Sequence, residues 1–344
     1  MSNNPVNKLL PEYVEYLLLP SSYPHPVDTV ELLQTHISFV TLAGGYVYKW
    51  KKPVDFGFVD FSSLAKRKFY CQRELFLNRR LCPAIYLDVV WLSRGSGTFK
   101  LNGDGEIVEY GVKMARMPEA GMLHRVIDAG LLQPDHLDAI IDILVPFYRQ
   151  ADQGKKVRDN GRVESVRRTI SNNFAQTRPF IGSAPLTAER FARIKRGTDS
   201  FLKQGKLFDE RIQAGCIRDC HGDLYSNNIC LADKNTIHIF DCLEFNDSLR
   251  FIDICADVAF LAMDLDFHQL FSLSDYFINR FIDISGDKGM VQVLNFYKCY
   301  RAYVRGKVGL LAAADTAMEK DATAGWLHAA ERYFQLAEEY AGRL

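Results

Sequence analysis

The character of the chain changes at Met117-Pro118, and that change limits the folds open to it. Before it, short apolar runs are cut by glycine-bearing turns; after it, helical periodicity takes over. His36 to Leu42 reads as a strand, Ala43-Gly44-Gly45 as a turn, and Tyr46 to Lys51 as the returning strand. Ser62 suits the N-cap of a helix running to about Arg80. Tyr86 to Ser93 and Thr98 to Leu101 read as further strands. Asn102-Gly103-Asp104-Gly105 is a hairpin turn that returns the chain through Glu106 to Arg116. Helical patterns then cover Gln133 to Gln150, Thr187 to Phe208, Asp275 to Ile284 and nearly everything from Lys288 onward. Gly154 to Gly182 is polar and basic and reads as a mobile connection. Two short strands, Asn228 to Leu231 and Thr236 to Phe240, interrupt the helices. The expected fold class is α+β, with residues 1–117 as a small β-rich lobe and 118–344 as a larger, mainly helical lobe.

At 344 residues the chain is long enough to bury a core without metal or disulfide staples. Lys+Arg and Asp+Glu are both 42, so the basic excess of a general nucleic-acid binder is missing. No run of about 18 uncharged apolar residues reads as a membrane span, and the first residues do not read as a signal peptide. Eight scattered cysteines fit reduced thiols and a cytoplasmic setting. Cys216, Cys220 and His221 lack a second pair at metal-ligand spacing, so the two cysteines read as small buried hydrophobes rather than zinc ligands.

The chemistry concentrates in Cys220 to Phe245, CHGDLYSNNICLADKNTIHIFDCLEF. A hairpin centred on Lys234 and Asn235 sets Asn228 opposite Asp241. Opposed residues have Cβ atoms roughly 4.5–5.5 Å apart, close enough to share one Mg²⁺, whose ligand distance is about 2.1 Å. Asp223 lies in the loop leading into the same strand. A carboxylate there can accept the proton of an attacking hydroxyl, as phosphoryl transfer requires.

His-Gly-Asp, four residues, Asn, then a short hairpin ending in Asp resembles the aminoglycoside phosphotransferase-like branch of the protein kinase-like superfamily. Asp253 and Asp257 in DICADVAFLAMDL are similar to that family's Asp-Pro-x-x-Asp-Leu-Ala segment, with Ile254 in place of proline. YVYKWKKPVDFGFVDFS, ELFLNRRLCPAIYLDVV and FIDICADVAFLAMDLD resemble an uncharacterised bacterial subfamily, often fused to a P-loop kinase domain. No GxxxxGK[ST] occurs in this chain. The likeness runs from about residue 30 to about residue 310.

The resemblance implies a two-lobed kinase-like fold that moves the γ-phosphate of ATP·Mg²⁺ to a hydroxyl of a small molecule: a sugar, an amino alcohol or an aminoglycoside-like acceptor. It implies Asp223 as catalytic base, Asn228 and Asp241 as Mg²⁺ ligands, and His221 as a structural support of the loop. Lys49 resembles the lysine that contacts the nucleotide phosphates, with Lys51 on the same strand face as its alternative and Glu74 as ion-pair partner. Met114 to Met117, with Arg116 among them, stands where adenine meets backbone. Glu244, Asp253 and Asp257 are implied as supports, with Arg250 pairing one of the last two. Glu244, Asp247, Asp264 and Asp266 are the carboxylates from which an acidic pocket for a polycationic acceptor would be built.

Taken singly, Asp223, Asn228 and Asp241 are ordinary turn formers and strand caps; the spacing makes them a set. The run Lys155-Lys156-Val157-Arg158 reads as a solvated face. Two other functions stay open: a protein-modifying transferase of the same fold, for which Cys242 to Arg250 is short as an activation segment, and a nucleotide-binding scaffold without catalysis. Fold does not fix the acceptor, and the oligomeric state is not legible.

Overall fold

The computed structural model describes residues 10–57, 59–95, 97–233, 236–314 and 320–344. The chain packs into two compact units: residues up to Glu119 with His238–Asn246, and Ala120–Ile237 with Asp247–Leu344. No helix of the described residues is long and apolar enough to cross a membrane.

The first unit begins with a short helix, α1 (Glu12–Leu17). Six strands follow: β1 (Val30–Gln34), β2 (Ser38–Ala43), β3 (Tyr46–Lys51), β4 (Tyr86–Gly95), β5 (Thr98–Leu101) and β6 (Glu106–Ala115). They form one antiparallel sheet in the order β1-β2-β3-β6-β4-β5. Helix α2 (Leu64–Asn78) joins β3 to β4. Its cap is Ser63, whose hydroxyl accepts from the Lys66 N–H, one residue beyond the expected Ser62. The turn between β2 and β3 is tight because Gly44 has φ +58° and a Cβ there would meet the Pro26 carbonyl oxygen at 2.9 Å.

Strand alternation divides β3 between two faces. Tyr48 and Trp50 enter a core with Val14, Leu17, Phe39, Val90 and Leu92. Val47 faces the other way, with Cys71 of α2 and with Tyr86, Val112 and Met114. Lys49 and Lys51 share the parity of Val47, so both ammonium groups reach toward α2.

The second unit is mainly helical: α3 (Leu123–Asp128), α4 (Pro134–Gln150), α5 (Lys155–Asp159), α6 (Val163–Thr177), α7 (Ala188–Phe201), α8 (Gly205–Gln213), α9 (Ile254–Phe267), α10 (Phe271–Ser285), α11 (Met290–Ala313) and α12 (Lys320–Ala341). Strand β7 (Ile217–Asp219) pairs antiparallel with β10 (Phe251–Asp253). Strands β8 (Ile229–Leu231) and β9 (Ile237–Ile239) form a second two-stranded sheet, in which His238 and Ile239 of β9 already count with the first unit.

Three sequence expectations change. The stretch 154–182 is not a mobile connection but mainly α5 and α6, fastened by the buried side chains of Val157, Ile170 and Phe174. The helix expected over 187–208 is two, broken where Lys203 and Gln204 N–H groups turn back to the Ser200 and Phe201 carbonyls. The segment 238–246, read from sequence as part of the second lobe, packs with the first unit; ion pairs of Asp241 and Glu244 with β3 fasten it there.

Candidate active site

Lys49 and Lys51 share one carboxylate in the first unit. Lys49 Nζ lies 3.0 Å from Glu74 Oε1, and Lys51 Nζ donates to Glu74 Oε2 at 2.7 Å. Each ammonium then takes a second carboxylate from the segment 238–246. Lys49 donates to Asp241 Oδ1 at 2.5 Å, and Lys51 to Glu244 Oε1 at 2.5 Å. Burial pushes the Glu74 carboxyl up, but Lys49 and Lys51 outweigh it and hold it down at about 2. For Glu244 burial wins over Lys51, and its pKa is raised. Burial works against the charge of both lysines, yet the facing carboxylates keep both pKa values above the ordinary range.

The two lysines differ in access. The Lys51 side chain is 1% exposed, walled in by Glu74, Glu244 and the Phe61 ring, which its Nζ faces at 4.8 Å. The Lys49 side chain is 16% exposed, and that of Asp241 is 41% exposed. Asp241 has φ +60°, a left-handed conformation uncommon outside glycine. Its N–H donates to the Tyr86 hydroxyl at 3.2 Å, and the next N–H, of Cys242, to Asn78 Oδ1 at 2.8 Å. Asn78 in turn donates to the Glu74 carbonyl at 2.9 Å. Tyr86 and Asn78 escaped the sequence reading, because each acts through a partner more than 150 residues away.

The stretch at the end of β6 also differs from expectation. The Met114 side chain is buried in the core and its strand pairs on both sides, with Val47 and Tyr86. The N–H groups of Ala115 and Arg116 are taken by the Ile85 and Gly45 carbonyls, each at 2.9 Å. The Arg116 side chain reaches Glu31 at 3.2 Å on the surface. Met117 N–H is the first in the stretch without a protein partner among the described residues.

In the second unit, α9 holds the loop that carries Asp223. The carboxylate of Asp257 accepts from two successive backbone groups, the N–H of His221 at 2.6 Å and of Gly222 at 2.9 Å. Gly222 has φ +88°, which an L side chain rarely adopts, so the loop needs glycine there. The Asp223 N–H donates to His221 Nδ1 at 3.2 Å. Asn228 Nδ2 donates to both the carbonyl and Oδ2 of Asp223, each at 2.9 Å. That leaves Asn228 Oδ1 as an acceptor. Arg301 of α11 donates to the Gly222 carbonyl at 3.0 Å, and the Arg305 guanidinium lies 4.7 Å over the Tyr225 ring. The sequence reading missed both arginines. Their four-residue spacing, which sets both on one face of α11, was the available signal.

The Thr236 carbonyl accepts from two N–H groups, of Ala232 at 2.9 Å and of Asp233 at 3.4 Å. Lys234 and Asn235, the expected centre of the hairpin, lie outside the described residues. Two further expectations are corrected. Arg250 pairs with Asp219 and Asp247, whereas Asp253 is held by Arg211 and Asp257 by the loop and by Arg301. The four carboxylates considered for a polycation are each engaged within the protein. Glu244 takes Lys51, Asp247 takes Lys156 and Arg250, Asp264 caps the Ser226 N–H, and Asp266 takes Lys298 and Tyr340. None of the eight cysteines forms a disulfide, and all are buried.

No family model matches the chain. Uncharacterized proteins of Mycobacterium tuberculosis and Mycobacterium bovis are 37% identical to it over 288 residues, 83% of this chain and 56% of each relative. The chain thus spans little more than half the length of the curated relatives it matches. Among solved structures, a spectinomycin phosphotransferase in complex with ADP and spectinomycin aligns over 96% of this chain and 100% of its own, with TM-score 0.50 and 13% identity. At that identity the likeness is one of fold. An antiparallel sheet with one long helix in the first unit and a helical second unit together make the protein kinase-like fold.

Proposed function

We propose that the chain is a phosphotransferase of the aminoglycoside phosphotransferase-like family, moving the γ-phosphate of ATP to a hydroxyl of a small molecule. The observation that carries the reading is Lys49: one partly exposed ammonium touches both Glu74 and Asp241, the latter 192 positions away in sequence. A lysine so placed offers a fixed positive charge to phosphate oxygens, with Glu74 fixing its direction. Lys51, sealed from solvent, serves as the buried counter-charge of Glu74 and Glu244. Met117 N–H is the free backbone donor for the adenine edge.

Asp241 and Asn228 fit Mg²⁺ as donors. One is an exposed carboxylate and the other keeps a free amide oxygen, and Mg²⁺ commonly binds one or two protein oxygens with water and phosphate completing its shell. When bound, the ion would neutralise phosphate charge. Asp223 accepts the proton of the acceptor hydroxyl at its carboxylate. Asn228 orients that carboxylate, and Asp257 fixes the loop beneath it.

The acceptor is a neutral or anionic alcohol rather than a polycation. The four candidate carboxylates each hold an internal partner, and the Arg305 guanidinium lies over the ring of Tyr225, two residues after Asp223.

The test incubates the chain with ATP, MgCl₂ and pools of sugars, amino alcohols and hydroxy acids, and reads phosphorylated product by mass spectrometry. Asp223→Asn should lower kcat by about 10²–10⁴-fold while the thermal shift given by ATP·Mg²⁺ persists. A shift with no product from any pool would favour the scaffold reading, and labelling of a protein would favour a protein-modifying transferase. No shift with ATP, GTP or ADP would overturn the nucleotide assignment.

A further inference from the structure

The second unit contains a cleft of about 490 Å³ lined by none of the residues assigned to phosphotransfer. Its walls come from the end of α4, from α8, from the start of β7 and from the turn between α10 and α11. Leu207, Ile254 and Phe281 supply apolar surface, and Arg149, Arg218 and Lys288 supply cationic groups.

The charge balance decides what such a cleft prefers. Two carboxylates also line it. Asp287 shares the Arg211 guanidinium with Asp253, so this trio carries one carboxylate charge in excess. Glu210 lies 3.6 Å from Lys206. Arg149 donates to the Ile284 carbonyl at 3.1 Å; Arg218 donates to the Gly215 and Ala151 carbonyls at 2.8 and 3.1 Å. Backbone carbonyls orient a guanidinium without neutralising it. Lys288, Arg149 and Arg218 have no carboxylate partner among the described residues. Three positive charges, against one carboxylate charge in excess beside Arg211, therefore leave the cleft net positive around its apolar wall, in the usual size range of small-molecule sites, about 300–1,000 Å³.

We propose that this cleft binds a soluble amphipathic anion: a carboxylate, sulfonate or phosphate carried on an apolar body. The apolar wall would bury the body and the three cations would hold the charged end. A bare anion would leave most of the volume and all of the apolar wall unused.

The probe is 8-anilinonaphthalene-1-sulfonate, followed by fluorescence in the full chain with ATP·Mg²⁺ present to occupy any nucleotide site. Saturable one-site binding is expected. The variant Arg149→Gln/Arg218→Gln/Lys288→Gln should weaken it at least tenfold, yet leave neutral N-phenyl-1-naphthylamine unaffected. Ala214→Trp, at an exposed position of the wall, should weaken both probes; Gln292→Trp on the facing wall replaces it should that variant not fold. Octanoate should displace the sulfonate, and octanol or inorganic phosphate at equal concentration should not. Sulfonate binding that is absent, unchanged in the charge variant or unchanged in the tryptophan variant overturns the proposal. So does displacement by inorganic phosphate alone.

Discussion

Lys49 and Lys51 stand two residues apart on one face of β3 and have different fates. Their shared face follows from strand parity and was legible in the sequence. Which lysine is sealed was not, because the lid over Lys51 is Glu244, 193 residues away. Glu74, shared by both, is fully buried and carries the sharpest residue-scale prediction. Its pKa is lowered from 4.5 to about 2, so the unfolded chain takes up a proton at higher pH than the folded one. The stability from its charge is complete above about pH 4.5 and is lost as the pH falls toward 2. Glu74→Gln removes that charge and leaves the buried Lys51 ammonium and the partly exposed Lys49 ammonium each short of a partner, a loss of about 3–5 kcal/mol. Urea midpoints should show the full gap between wild type and variant at pH 6 and a smaller gap at pH 3. An equal gap at both values would mean that the Glu74 charge contributes nothing to the pH dependence.

At the scale of elements, strands β2 to β6, β8 and β9 and helices such as α2, α4 and α10 were legible, whereas β1, β7, β10, α5, α6 and α9 were not. Cys255 through Asp266 are all buried, so α9 lacks the polar stripe by which a helix is recognised. Yet α9 presents Asp257 to the loop of Asp223, and its role there is to position. Asp257→Asn keeps one acceptor oxygen but turns an amide NH₂ toward the His221 and Gly222 N–H groups. The expected result is a kcat lowered at least tenfold with the nucleotide Kd unchanged, measured by steady-state kinetics and calorimetry. Equal loss of both would mean that the variant disturbs more than the loop. Helix packing offers a paired test. A Cβ at Gly306 of α11 would meet the Phe334 ring of α12 at 2.9 Å, whereas Gly325, inside α12, has nothing within 4 Å. Gly306→Ala should destabilise by about 1–3 kcal/mol. Gly325→Ala should stabilise by up to about 1 kcal/mol. Thermal midpoints moving in opposite directions check both.

Across the whole molecule, the change of character at Met117-Pro118 lies two residues from the observed boundary after Glu119. What composition could not reveal is that the chain returns: nine residues, His238–Asn246, belong with the first unit. They are too few to carry a periodicity of their own. Their place is set by long-range bonds: Cys242 and Glu244 are buried, Phe240 packs beside the Tyr86 and Met114 core, and Glu244 holds Lys51. A chain ended at Glu119 loses all of these at once. Lys51 keeps only one of its two carboxylates, Asn78 Oδ1 loses the Cys242 N–H, and apolar surface around Cys82 and Met114 is uncovered. Uncompensated buried charge and lost core contact each cost several kcal/mol, against a total stability of about 5–15 kcal/mol for an ordinary domain. Residues 10–119 alone should therefore show a broad, weakly cooperative urea transition. The same residues joined by a flexible linker to 236–250 should regain a sharp one, and Glu244→Ala in that linked chain should broaden it again. A sharp transition in 10–119 alone would mean that the returning segment rests on a unit already complete without it.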